Sequence, residues 1–143
     1  MNDADPFEVF LAAYADAVHA KDVAAFVRLY DDDLHVFDLW QDWSLQGLAT
    51  WRAMAEGWFA SLGDERVVVT AAQAQGQTEG DLAFGHAFLT YAAYAADGRR
   101  LRSLDNRISV AMRRTAAGWK VVHEHTSVPV EHGSGRALMR RED

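Results

Sequence analysis

Phe7, Phe10, Leu11, Tyr14 and Val18 recur at intervals of three and four residues, the spacing of one buried stripe on an α-helix. The preceding D-P-F-E supplies its start: Asp5 can cap, Pro6 suits the first helical position, and Glu8 can return a capping-box hydrogen bond. A break at Lys21–Asp22 opens a second, short helix with Val23, Phe26, Val27 and Tyr30 on its buried side, and Asp31-Asp32-Asp33 ends it as a solvated turn. Leu34 to Trp40 then alternates as a strand, with Leu34, Val36, Asp38 and Trp40 on one face and His35, Phe37 and Leu39 on the other. A polar link, Gln41 to Gln46, leads to Gly47 and a third helix through about Leu62, whose stripe is Leu48, Trp51, Ala55, Trp58 and Leu62.

From Arg66 the period changes to two. Turn signals at 79–81 (E-G-D), 97–98 (D-G) and 116–118 (A-A-G) divide the rest into strands over Arg66–Thr78, Leu82–Ala96, Arg99–Arg114 and Trp119–Val130. Strands of this length must curl, because a long flat sheet is unfavourable. Helices gathered on one face of such a meander predict an α+β fold: a cone of three N-terminal helices packed on a strongly curved, mostly antiparallel sheet that encloses a cavity. One domain over 1–143 is expected, with an ordered core over about 5–130 and a polar, frayed tail over 131–143.

Alternation also assigns faces. In WKVVHEHTSVPV it puts His123 and His125 inward with Trp119 and Val121, and turns Glu124 and Thr126 outward. His86 goes inward with Phe84, Phe88 and Thr90. Ile108, Val110, Met112, Leu89, Tyr91, Val122 and Val128 then make the outer face apolar, and a face that apolar is seldom left in water. The expectation is a homodimer through the outer sheet face.

Composition narrows the chemistry. The chain has 143 residues, 50% of them hydrophobic and 24% charged, which suits one globular domain. It has no cysteine, which excludes disulfides, thiolate metal sites and cysteine nucleophiles. A formal charge of -7 argues against nucleic acid as a partner, and Arg99, Arg100, Arg102, Arg113 and Arg114 read as a solvated rim. No apolar run approaches membrane-spanning length, and the acidic start MNDADPFE is unlike a signal peptide. The expectation is a cytoplasmic protein with no membrane partner.

Residues 7 to 130 resemble the nuclear-transport-factor-like fold shared by ketosteroid isomerases, SnoaL-like polyketide cyclases and the calmodulin-dependent kinase association domain. AAYADAVHAKDVAAFVRLYDDDLHVFDLW is similar to the isomerase's first two helices and first strand, with Tyr14 at its oxyanion-hole tyrosine and Asp38 at its general base. VAMRRTAAGWKVVHEHTSVP resembles the closing strand of the association domain, which ends in V-H-x-H-x-S. Where the isomerase has a second, protonated aspartic acid, counting from the D-G turn places Arg107, with Asp105 two residues earlier. A guanidinium cannot imitate a neutral carboxylic acid, although it can stabilise an anion.

The resemblance implies a small-molecule cavity protein, an isomerase or cyclase-like enzyme that moves a proton next to a carbonyl. In that reading Asp38 takes the proton and Tyr14 donates to the developing enolate. Arg107, His86, His123 and His125 orient a small polar or anionic organic ligand, and Trp40 and Trp58 line the pocket. The residues alone leave Asp38 open, as a general base or as a buried carboxylate held by hydrogen bonds. Two further readings stand beside the enzyme: a non-catalytic ligand-binding or dimerisation module, and a metal-dependent enzyme using His86, His123 and His125. No metal and no cofactor are expected, since the resembling families need neither.

Overall fold

The computed structural model describes residues 4–142. Met1–Asp3 of the acidic start and Asp143 of the tail lie outside the described residues. Helix α1 (Pro6–Ala20) begins where the sequence places it, with Asp5 Oδ1 accepting the Phe7 N–H at 2.9 Å. Helix α2 (Val23–Val27) is capped in the same way by Asp22, which accepts from Ala25 N. The three aspartates do not form a turn; they run within β1 (Tyr30–Phe37), where a register shift between Tyr30 and His35 accommodates them. A short strand, β2 (Leu45–Gln46), interrupts the polar link and pairs with β1. Helix α3 (Leu48–Ser61) follows, with Trp51, Ala55 and Phe59 buried. Then come β3 (Arg66–Glu79), β4 (Leu82–Tyr94), β5 (Arg100–Thr115) and β6 (Gly118–Ser127).

The six strands form one sheet in the order β2-β1-β6-β5-β4-β3, antiparallel except for β1 beside β6. The α+β cone is therefore present. Its helices and the inner sheet face share a core of Phe7, Phe10, Tyr14, Phe26, Trp51 and Phe59 with Leu34, Val36, Ile108 and Val110.

The faces of the last three strands differ from the alternation reading. On β4 the inward residues are Ala83, Gly85, Ala87 and Leu89, while Phe84 is 54% exposed and His86 lies on the outer face. Proximity of α1 explains this: a Cβ built on Gly85 would stand 2.2 Å from Phe7 Cγ, so only glycine fits there and the flanking inward positions are small. Large side chains point out because the helix occupies the space inside.

On β5 the inward residues are Asn106, Ile108, Val110 and Met112, and Arg107 is exposed. Counting from the D-G turn misplaces the face because the β4–β5 register slips between Ala93 and Tyr94, which pair with Arg102 and Arg100. On β6 a bulge does the same: Met112 pairs with Val121 but Ala111 with His123, leaving Val122 as the extra residue. Beyond it Glu124 and Thr126 face inward, and His123 and His125 face outward. The residues from which an apolar outer face was expected, Leu89, Tyr91, Ile108, Val110 and Met112, thus belong to the interior.

The tail is ordered against the sheet. Val130 bridges Ala137, Met139 O accepts from Asp105 N at 2.8 Å, and Arg141 N donates to Asp105 Oδ2 at 2.7 Å. The Arg141 guanidinium also lies over the Phe88 ring, 4.3 Å from its centre. Among the described residues no helix is long and apolar enough to cross a membrane.

Candidate functional site

Between α3, the end of β1 and the inner face of β4–β6 lies a cavity of about 760 Å³. That is room for a drug-sized molecule. Tyr14, Asp38, Trp40 and Trp58 line it, as the sequence leads one to expect. His86, Arg107, His123 and His125 do not, because each stands on the opposite face of the sheet. Tyr91, Asn106, Glu124 and Thr126 line it instead, with Trp51 and Met54 from α3.

The floor is a group of hydrogen-bonded side chains drawn from β1, β4, β6 and α1. Thr126 Oγ1 donates to Asp38 Oδ1 at 3.0 Å and accepts from Leu39 N at 2.9 Å, which fixes the carboxylate just past the end of β1. Burial raises the Asp38 pKa above its ordinary value, while the Thr126 hydroxyl and the backbone N–H groups of Trp40 and Leu39 work against that rise. Glu124 is 1% exposed and accepts from Tyr30 Oη at 2.7 Å. Burial pushes its carboxyl up to about 7 against the pull of that hydrogen bond, and the nearby Asp38 charge adds to the rise. Tyr14 and Tyr91 hydroxyls lie 2.9 Å apart. Burial raises the pKa of Tyr14, Tyr30 and Tyr91, so all three remain protonated donors.

Two buried polar atoms of the lining have no partner, Asn106 Oδ1 and Trp51 Nε1. A buried acceptor and a buried donor left open are costly, and a ligand carrying complementary groups would satisfy them. Arg102 is the one basic residue of the lining, and it is held at the rim by Glu65, 2.6 Å from its carboxylate. The floor therefore offers carboxyls, phenols and amides, with aromatic walls, and no cation.

On the opposite face, Phe37 packs edge-on against His123 and His125, with ring centres 4.9 and 5.5 Å apart. His123 Nδ1 lies 2.7 Å from His35 O, and Arg107 Nε donates to Ser127 Oγ. His86 and His125 flank Ser109 on neighbouring strands, roughly 10 Å apart across two strand spacings. Among the described residues no group of three or more His, Cys, Asp or Glu is placed to hold a metal ion.

Glu124 and Thr126 were legible as one of the two phases of V-V-H-E-H-T, and only the bulge decides between them. Asn106 carried no signal of its own. Tyr91 carried a misleading one, since its alternation partner Leu89 reads equally well on either face.

A SnoaL-like domain model matches residues 8–131. No curated protein matches the chain. Among solved structures, an NTF2-like protein of unknown function from Pseudomonas putida KT2440 is 25% identical, with 96% of this chain and 94% of that one covered and a TM-score of 0.82. An NTF2-like protein with a cystatin-like fold from Novosphingobium aromaticivorans is 20% identical, over 91% of this chain and 84% of that one, with a TM-score of 0.74. A Xanthomonas campestris protein provisionally named a calcium/calmodulin-dependent protein kinase II association domain is 13% identical, over 87% and 84% of the two chains, at a TM-score of 0.68.

Proposed function

The chain belongs to the SnoaL-like domain family, and we propose that its cavity catalyses proton transfer at the carbon next to a carbonyl of a small, largely apolar, uncharged substrate. The observation that carries this reading is the convergence of Asp38 and the Tyr14–Tyr91 hydroxyl pair on one cavity. A carboxylate with a raised pKa is matched to abstracting a weakly acidic proton near neutral pH. The proton leaves carbon for Asp38, and the electron pair moves to the carbonyl oxygen.

The donor to that oxygen is Tyr91. Tyr14 is buried behind it, 2.9 Å away, and by donating to Tyr91 it frees the Tyr91 O–H for the ligand. A preorganised phenol in a water-poor site stabilises an enolate oxygen more than it would in bulk water. Thr126 holds the base in place. Trp40, Trp51 and Trp58 supply flat apolar walls for a ring-sized ligand.

An uncharged ligand follows from the floor. The Asp38 carboxylate would repel an anion, and Arg102, the one basic residue of the lining, is already paired with Glu65 at the rim. The test is solvent deuterium exchange into a cyclic ketone such as 2-tetralone, followed by NMR. Wild type should accelerate exchange and Asp38→Asn should abolish the acceleration. Equal exchange by the two would leave a binding module with no proton chemistry.

A further inference from the structure

Asp38, Asp42 and Glu124 are the carboxyls that line the cavity; Asp42 is exposed at its mouth, and proton abstraction uses only Asp38, which leaves the buried Glu124. Glu124 stands on the inward face of β6, opposite Val36 and two residues before Thr126, the residue that holds Asp38. That register puts the two carboxyl positions roughly 7 Å apart, one inward step along the strand. Tyr30 Oη is bound to Glu124 Oε1, which leaves Oε2 as the oxygen of this cavity-lining residue without a hydrogen bond. Tyr14 on α1, Tyr30 and Asp38 at β1, and Tyr91 on β4 are the titratable groups that face it, and three of the four are neutral phenols.

We propose that Glu124 is a general acid that protonates a leaving hydroxyl, so that the substrate is a β-hydroxy carbonyl compound and the overall reaction is elimination of water. This rests on the reading of Asp38 as the base. Glu124 is suited to the role because it is fully buried where Asp38 is only partly so, it is bound to a neutral phenol, and burial pushes its carboxyl up to about 7.

The step balances without an added reagent. Asp38 takes the proton from the α carbon, and the electron pair becomes an enolate held by Tyr91. The pair returns to form the carbon–carbon double bond as the bond between the β carbon and its hydroxyl breaks. The hydroxyl leaves as water with the proton of Glu124. Asp38 ends protonated and Glu124 ionised, and one proton passed back through solvent restores both. Asn106 Oδ1, buried at 8% exposure and unpartnered, can accept the hydrogen of the substrate's hydroxyl and so orient it.

The probe is 4-hydroxy-4-phenylbutan-2-one. NMR reads α-deuterium exchange, and ultraviolet absorbance reads the conjugated enone that elimination forms. Wild type should do both, and Asp38→Asn should do neither. In Glu124→Gln the ratio of elimination to exchange should fall about 100-fold or more, the range of a lost general acid. An unchanged ratio overturns the acid role while leaving proton abstraction standing. Absence of exchange in wild type overturns the base and the acid together. Should Glu124→Gln not fold, the wild-type ratio decides: it should decline as pH rises through about 7, where the acid loses its proton. A ratio constant from about pH 6 to 8.5 overturns the proposal.

Discussion

Replacing Glu124 by glutamine should make the fold less sensitive to pH. In the folded protein this carboxyl keeps its proton up to about 7, against an ordinary value of 4.5. Below 4.5 both folded and unfolded chains carry the proton, and Glu124 costs nothing. Between 4.5 and about 7 the folded state binds more protons than the unfolded one, so stability falls as pH rises. Above 7 the full cost persists, about 3 kcal/mol at about 1.4 kcal/mol per pH unit. Between about pH 5.5 and 8.5 the share lost is about 2 kcal/mol.

Glutamine has no such titration, and its amide oxygen can still accept from Tyr30. Urea denaturation of both proteins at the two pH values isolates the effect, because the histidines and other carboxyls titrate alike in each. The advantage of Glu124→Gln over wild type should grow by about 2 kcal/mol from the acidic to the alkaline condition. A difference that stays constant within about 0.5 kcal/mol would show that Glu124 is not a buried, protonated acid.

Other outcomes test the remaining parts of the structure. Gly85→Ala should destabilise the protein by about 1–3 kcal/mol, since the new methyl meets the Phe7 ring, whereas His86→Ala on the outer face should stay within about 0.5 kcal/mol. Similar midpoints for the two variants in urea would reverse the assigned face of β4. Tyr91→Phe should slow ketone exchange by about 10²–10³, the cost of losing an oxyanion donor, and Tyr14→Phe by clearly less. The opposite order would put Tyr14 in direct contact with the ligand. Leu82, Phe84 and Phe37 are exposed on the outer face at 59%, 54% and 38%, and a two-fold dimer through that face is the expected assembly. Light scattering should give twice the monomer mass for wild type and the monomer mass for Phe84→Lys, while a monomeric wild type at micromolar concentration contradicts it.

The elements were legible where period and capping agree. The Asp5 cap, the Phe7–Val18 stripe and the inward series Leu34, Val36, Asp38 stand as the pattern reads them, so Tyr14 and Asp38 come to the same cavity. Faces of the long strands were not legible, because period two has two phases and hydrophobicity chooses between them only when one phase is polar. On β4, Phe84 and Phe88 compete with Ala83, Gly85 and Ala87, and a pattern scored by side-chain size picks the aromatics. The structure picks the small set, because Phe7 of α1 lies against it. On β6 the extra residue Val122 inverts every position after it, exchanging two imidazoles for Glu124 and Thr126 at the floor. A bulge of this kind depends on pairing with β5, which no local pattern encodes. The packed tail was missed for a similar reason: its anchors, Asp105 and Phe88, are outer-face residues of other strands.

The most direct test compares the two faces of the sheet in one experiment. Solvent deuterium exchange into 2-tetralone is measured for wild type, Asp38→Asn and the double variant His123→Ala/His125→Ala. Exchange should vanish in Asp38→Asn and persist at the wild-type rate in the double variant, because the imidazoles stand outside the cavity. Exchange that survives the loss of Asp38, or is lost with the two histidines, would contradict this placement of the site.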